Sequence, residues 1–232
     1  MKIRKSILII LLSVWAAIAF AATQQTSSTT ASSMISDVRA YLNDYNEEDE
    51  FYNDGELLQW LNDGMVEIAT QTHCLQSTAS LNLAASTIEY SISSTYITID
   101  AVIYVDASGV QKGLFRGAPY MVGWVTDRGV PIYWYEWGGK IGVYPPLTAR
   151  TTETVTIYYV TRPTAIASTG TVTTPAIYDR ALMFYMIAQA KLKDRKTAEY
   201  EQHMARFEAE LARRRADLVN FPEKTDEKIE LK

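Results

Sequence analysis

Residues 51–72, FYNDGELLQWLNDGMVEIATQT, carry an amphipathic pattern that any fold of this chain must accommodate. Leu57, Leu61, Met65 and Ile68 fall on one stripe at helical spacing, and Leu58, Trp60 and Ala69 widen it into a face. Asn53 stands where an N-cap belongs, with Asp54 and Glu56 placing negative charge in the first turn, where the helix dipole favours it. So broad an apolar face needs a partner. The comparable segments are a short helical pattern before it and two long ones after Pro175. The residues between then read as an insertion, and the expected class is α+β: a helical core, made of an N-terminal αα-hairpin and two long C-terminal helices, with an inserted antiparallel β region.

The hairpin's first helix is expected over residues 35–42, from Ile35, Val38 and Leu42, with an acidic turn leading to the second. After Gln76 the composition shifts to Ser, Thr and β-branched residues, and short strands are expected at 81–83, 88–92, 96–99 and 101–105. Residues 132–137 and 141–144 flank Gly138 and Gly139 as a β-hairpin that Pro145 and Pro146 close. In residues 154–159, Val155, Ile157 and Tyr159 alternate with threonines, as in a half-buried strand. The β insertion thus spans about 81–159. Beyond Pro175, Ile177, Ala181, Phe184, Ile187 and Ala188 form one helical stripe, and Tyr200, Met204, Phe207 and Leu211 another, reaching about Leu218. One domain over 34–218 is expected, with residues 219–232 as a flexible C-terminal tail.

The N-terminus permits two readings. Residues 1–22 have the form of a signal peptide, with Lys2, Arg4 and Lys5 before an apolar run and Ala19, Phe20 and Ala21 as a small-x-small cleavage site. Residues 23–33 are a polar linker, and Met34 opens the first foldable segment, so a mis-assigned start is the other reading.

Composition excludes several classes. A formal net charge of −5 does not suit a protein that coats nucleic acid through a basic field, and one cysteine, Cys74, allows neither an internal disulfide nor a cysteine zinc cluster. His73 and His203 lack a second ligand at metal spacing, and Gly138, Gly139 and Lys140 make a hairpin turn, not a phosphate loop. No nucleophile elbow or Cys-His pattern is present, so catalytic, cofactor and metal residues are all expected to be none. Two features invite contact. The aromatic residues Tyr133, Trp134, Tyr135, Trp137 and Tyr144 suit either a sheet core or a subunit interface. Arg213, Arg214 and Arg215 read as a solvated helix face, with Glu210 and Arg214 at i,i+4 spacing, or as a site for an acidic partner.

The order of these parts resembles phage head-to-tail adaptor (connector) proteins, those of short-tailed phages in particular. Residues 52–69, with Asp54, Glu56, Leu57, Trp60, Leu61, Asn62 and Asp63, look like that family's second helix. Pro131, Ile132 and Tyr133, ending in Ile141, Gly142, Val143, Tyr144 and the two prolines, are similar to its glycine-turned hairpin. Residues 155–163, VTIYYVTRP, and 175–182, PAIYDRAL, look like its last strand and first C-terminal helix. The resemblance implies a non-enzymatic virion protein, assembled in the host cytoplasm as a homo-oligomeric ring, a dodecamer, with no membrane association in its mature form. The ring sits below the portal protein, meets a tail or nozzle protein, and lets DNA pass without specific binding. It further implies that the tail reaches the portal, with Phe221, Ile229 and Leu231 as docking residues. The competing reading is a secreted or periplasmic binding module whose aromatic hairpin holds a sugar or a protein.

Overall fold

The computed structural model describes residues 26–44, 51–92, 95–120, 128–148 and 152–218. Its helices are α1 (Ala31–Leu42), α2 (Asp54–Thr72), α3 (Asp179–Lys193) and α4 (Thr197–Leu218). α2 begins in a capping box: Gly55 N–H donates to Asn53 Oδ1 at 2.7 Å, and Asn53 N–H donates to Glu56 Oε2 at 3.2 Å. It ends at His73, a left-handed cap whose N–H donates to Ala69 O at 3.0 Å. Arg39 ties α1 to α2, with Nη1 2.8 Å from Asp44 Oδ2 and Nη2 2.7 Å from both Asp54 Oδ1 and the Tyr52 carbonyl.

The apolar stripes meet in one helical core. Leu57, Leu61 and Met65 of α2 join Val38 of α1, Leu182 of α3 and Phe207 of α4, all fully buried. α2 packs tightly on α3 at Gly64, where an added Cβ would fall 2.6 Å from Leu182 Cδ1 and 2.9 Å from Tyr185 Cδ1. Trp60 packs only partly against this core, and Ile177, expected on the buried stripe, is exposed in a 3₁₀ turn (Ala176–Tyr178). Tyr178 is buried in its place, because the tighter turn rotates the side chains ahead of α3.

The strands are β1 (Gln76–Asn82), β2 (Glu89–Ser91), β3 (Tyr96–Val105), β4 (Gln111–Gly113), β5 (Phe115–Arg116), β6 (Tyr133–Trp137), β7 (Lys140–Tyr144) and β8 (Thr154–Thr161). They form two sheets of order β1-β8-β3-β4 and β2-β7-β6-β5. Every pairing is antiparallel except β5 with β6, which is parallel. Ile99, Val102 and Ile157 of the first sheet share a core with Trp134, Ile141 and Val143 of the second. The β region therefore has a hydrophobic core of its own.

Three further expectations change. The β region starts at Gln76, because the polar sequence QSTASLN pairs with β8 from Thr154 to Val160, and reaches Thr161, which pairs with Tyr96; the two strands expected at 96–99 and 101–105 are one, β3, bulged near Asp100. The linker expected over 23–33 is folded from Thr26 onward. Thr26 bridges Pro175, Thr30 bridges Thr171 and caps α1 by accepting from Ser33 N, and Ala31 is fully buried. Ser27 Oγ and Thr29 Oγ1 each donate to Asp179 Oδ2 at 2.8 Å. A polar composition hides such an arm, because hydrogen bonds do much of the holding.

Candidate assembly surfaces

β6 and β7 turn through Gly138 and Gly139, whose φ values of 58° and 73° are those of a two-glycine hairpin turn. Register then decides what each aromatic residue does. Trp134 opposite Val143 and Glu136 opposite Ile141 share the inner face, while Tyr133 opposite Tyr144, Tyr135 opposite Gly142 and Trp137 opposite Lys140 share the outer one.

On the inner face Trp134 is buried, with the Arg116 guanidinium 5.3 Å above its ring. Tyr96 donates to Glu136 Oε1 at 2.7 Å, and burial together with that carboxylate pushes the phenol up to about 12. On the outer face Tyr135 lies across Gly142 and is only 5% exposed, with its hydroxyl 3.4 Å from Glu89 Oε1. Lys140 Nζ reaches Glu89 Oε2 at 3.3 Å. Tyr144 is buried as well.

Trp137, by contrast, is 68% exposed. Phe115, on the neighbouring strand β5, is 67% exposed and lies 6.3 Å from the half-buried Tyr133 ring. Of the five residues singled out in the sequence, then, Trp134, Tyr135 and Tyr144 are buried within the subunit, and Tyr133 and Trp137 are accessible. Phe115 was missed because β5 is too short to show a pattern. Phe221, Ile229 and Leu231 lie outside the described residues.

The histidines part company. His73 Nδ1 lies 3.1 Å from Asp100 Oδ1 at the surface. His203 is buried on α4, between Tyr41 at 5.6 Å and Phe184 at 6.4 Å, and its Nδ1 has no hydrogen-bond partner. Burial first, then the nearby Arg206 and Lys191, push its pKa below the ordinary value, against a smaller opposing effect of Glu199. Among the described residues no group of three or more His, Cys, Asp or Glu is placed to hold a metal ion. Among them, too, no helix is long and apolar enough to cross a membrane.

The fold is α+β, a helical layer joined to a β sandwich that leaves the Phe115 and Trp137 rings exposed. Residues 29–225 match the model of the SU10 adaptor protein family, and the chain belongs to that family. The expectation drawn from the resemblance is met at this level: the chain is a phage head-to-tail adaptor, a structural component of the virion. No curated protein matches it. Among solved structures it is similar to a chain described as "Neck of empty GTA particle computed with C6 symmetry", at 15% identity over 72% of this chain and 83% of that one. The TM-score is 0.27, and the family match alone carries the assignment.

Proposed function

We propose that the protein assembles as a homo-oligomeric ring, a dodecamer, between the portal protein and a tail or nozzle protein, and that DNA passes through its channel. It performs no catalysis, and assembly takes place in the host cytoplasm. The observation that carries this reading, beside family membership, is the outer face of the second sheet. There Phe115 and Trp137 stay exposed although the β sandwich already has a complete core beneath them. Large exposed rings on a self-sufficient sheet suit a surface that a neighbouring subunit covers. We assign the β-side subunit contact to Tyr133 and Trp137 together with Phe115, and portal docking to Phe221, Ile229 and Leu231. Channel transit without retention suits an acidic chain, since neutralising many phosphates would hold the DNA in place.

The alternative, a secreted module that stacks a sugar on Trp134, Tyr135 and Trp137, needs the three rings on one accessible face. Trp134 faces the opposite way, into the core, and Tyr135 is covered. Native mass spectrometry of the full chain, alone and mixed with portal rings, tests the proposal. A discrete high-order oligomer bound to the portal is expected, and truncation after Asn220 should abolish portal binding while leaving a folded subunit. A chain that stays monomeric and ignores the portal would contradict it.

A further inference from the structure

The two flanks of the helical layer carry opposite charge. On one flank Arg180 of α3 and Arg206 and Arg213 of α4 line a groove with Phe184, Ala209 and Glu210. Arg206 and Arg213 are two turns apart and so share one face of α4. All three arginines are exposed, and none has a carboxylate partner among the described residues. Arg180 is held in place by the Phe184 ring, 5.5 Å from its guanidinium carbon. The groove's own carboxylate, Glu210, is buried and already paired with Arg214 at 3.2 Å. Lys191, on the same side of α3, is likewise taken up by Glu199 at 3.0 Å. Three guanidinium groups therefore remain available on this flank.

The other flank is marked by Tyr185. Its ring meets Gly64 of α2 on one side and Phe207 of α4 on the other, at 5.4 Å between centroids. Asp63 and Glu67 stand one turn apart on α2 beside that contact, near enough that, after burial, they are the next causes raising the Tyr185 pKa. Asp63 is exposed and Glu67 half-buried, and neither has a cationic partner among the described residues. Along α3, Arg180 and Tyr185 are separated by about 140° of helical rotation, which places the basic and acidic groups on different sides of the layer.

Resting on the ring reading above, we infer that these flanks are the two halves of one head-to-tail contact: the arginine flank of one copy receives the Asp63 and Glu67 flank of the next. Because the basic and acidic groups lie on different sides of the layer, a two-fold contact of either flank with its own copy would oppose like charges. Opposite flanks meet in a heterologous arrangement, which forms a ring where the rotation between successive copies closes. A second copy suits the groove better than DNA does, because the chain is acidic overall and already carries the matching carboxylates at helical spacing. The pairs would set register and direction of assembly, with the aromatic face of the β sandwich supplying apolar contact.

The test is charge reversal in the full chain, with assembly followed by native mass spectrometry and folding by circular dichroism. The variant R206E/R213E has two acidic flanks and D63K/E67K two basic ones. Each alone should stay folded and need about tenfold more protein to assemble. Mixing the two variants, or joining all four substitutions in one chain, should restore assembly near the wild-type concentration. Unchanged assembly by both variants, or failure of both rescues, overturns the inference and leaves the ring reading standing. Arginine variants that assemble normally but release DNA would also overturn it, in favour of a nucleic-acid surface. Absence of any oligomer from the wild-type chain would instead defeat the ring reading itself.

Discussion

The Tyr135 ring rests on the bare backbone of Gly142, so closely that a methyl group there would overlap the ring. The two residues face each other across β6 and β7, and Tyr135 is nearly fully covered, which leaves the ring little space to swing away. Gly142→Ala should therefore lower stability by about 1–3 kcal/mol, the range for overpacking a well-filled site. In a denaturant titration the double variant Tyr135→Ala, Gly142→Ala should cost less than the sum of the two single changes, since the clash is then absent. Additive costs would show that the ring and the glycine do not constrain each other.

The N-terminal arm should be part of the cooperative fold. Asp179→Ala removes the acceptor of two hydroxyl hydrogen bonds, and Thr30→Ala removes the cap of α1. The cap alone should contribute about 0.5–2 kcal/mol. A chain that begins at Met34 loses both features and should show a melting temperature below that of a chain beginning before Thr26. Equal melting temperatures would mean that the arm is not held in solution.

His203 should make the helical layer acid-sensitive. Its pKa is held below the ordinary value of 6.5, because burial and the nearby Arg206 and Lys191 disfavour the imidazolium more than Glu199 favours it. A group with a depressed folded-state pKa takes up protons on unfolding. The stability it contributes is complete above about pH 6.5, and is lost as pH falls through the folded value. His203→Gln should accordingly flatten the stability profile between about pH 7 and pH 5 relative to wild type. Parallel profiles for the two proteins would count against a buried neutral imidazole.

Trp134 and Trp137 should behave as opposites although three positions separate them. Trp134→Ala opens the β core and should cost about 3–5 kcal/mol. Trp137→Ala removes an exposed ring and should change stability by no more than about 0.5 kcal/mol while weakening assembly. Trp60→Ala should fall between them, since that ring is half-buried against the helical core and the Tyr52 ring at 6.3 Å. Denaturant titration alongside native mass spectrometry separates the two effects.

The helices were legible in the sequence because their information is periodic and local. Leu57, Leu61, Met65 and Ile68 announce a face, and Asn53 with Glu56 announces where it starts. The hairpin was legible for the same reason, through Gly138 and Gly139. Less legible was whatever depends on distant partners. The residues of β1 are polar and become a strand only against β8, while β4 and β5 are too short for any pattern. The arm's hydroxyls found Asp179 about 150 positions away. Gly64 reads as a helix weakness until Leu182 and Tyr185 are seen to need the space. Five aromatic residues in one hairpin suited either a core or an interface, and strand alternation with lateral packing divides them into buried and exposed groups.

If this chain forms the proposed ring that joins head to tail, electron cryomicroscopy of the virion's head-to-tail junction should image it. A closed ring of this chain is expected immediately below the portal, with Arg206 and Arg213 of each copy against Asp63 and Glu67 of the next, Trp137 covered, and an open channel along the axis. A junction in which this chain is absent, or present as isolated subunits that do not touch one another, would contradict it.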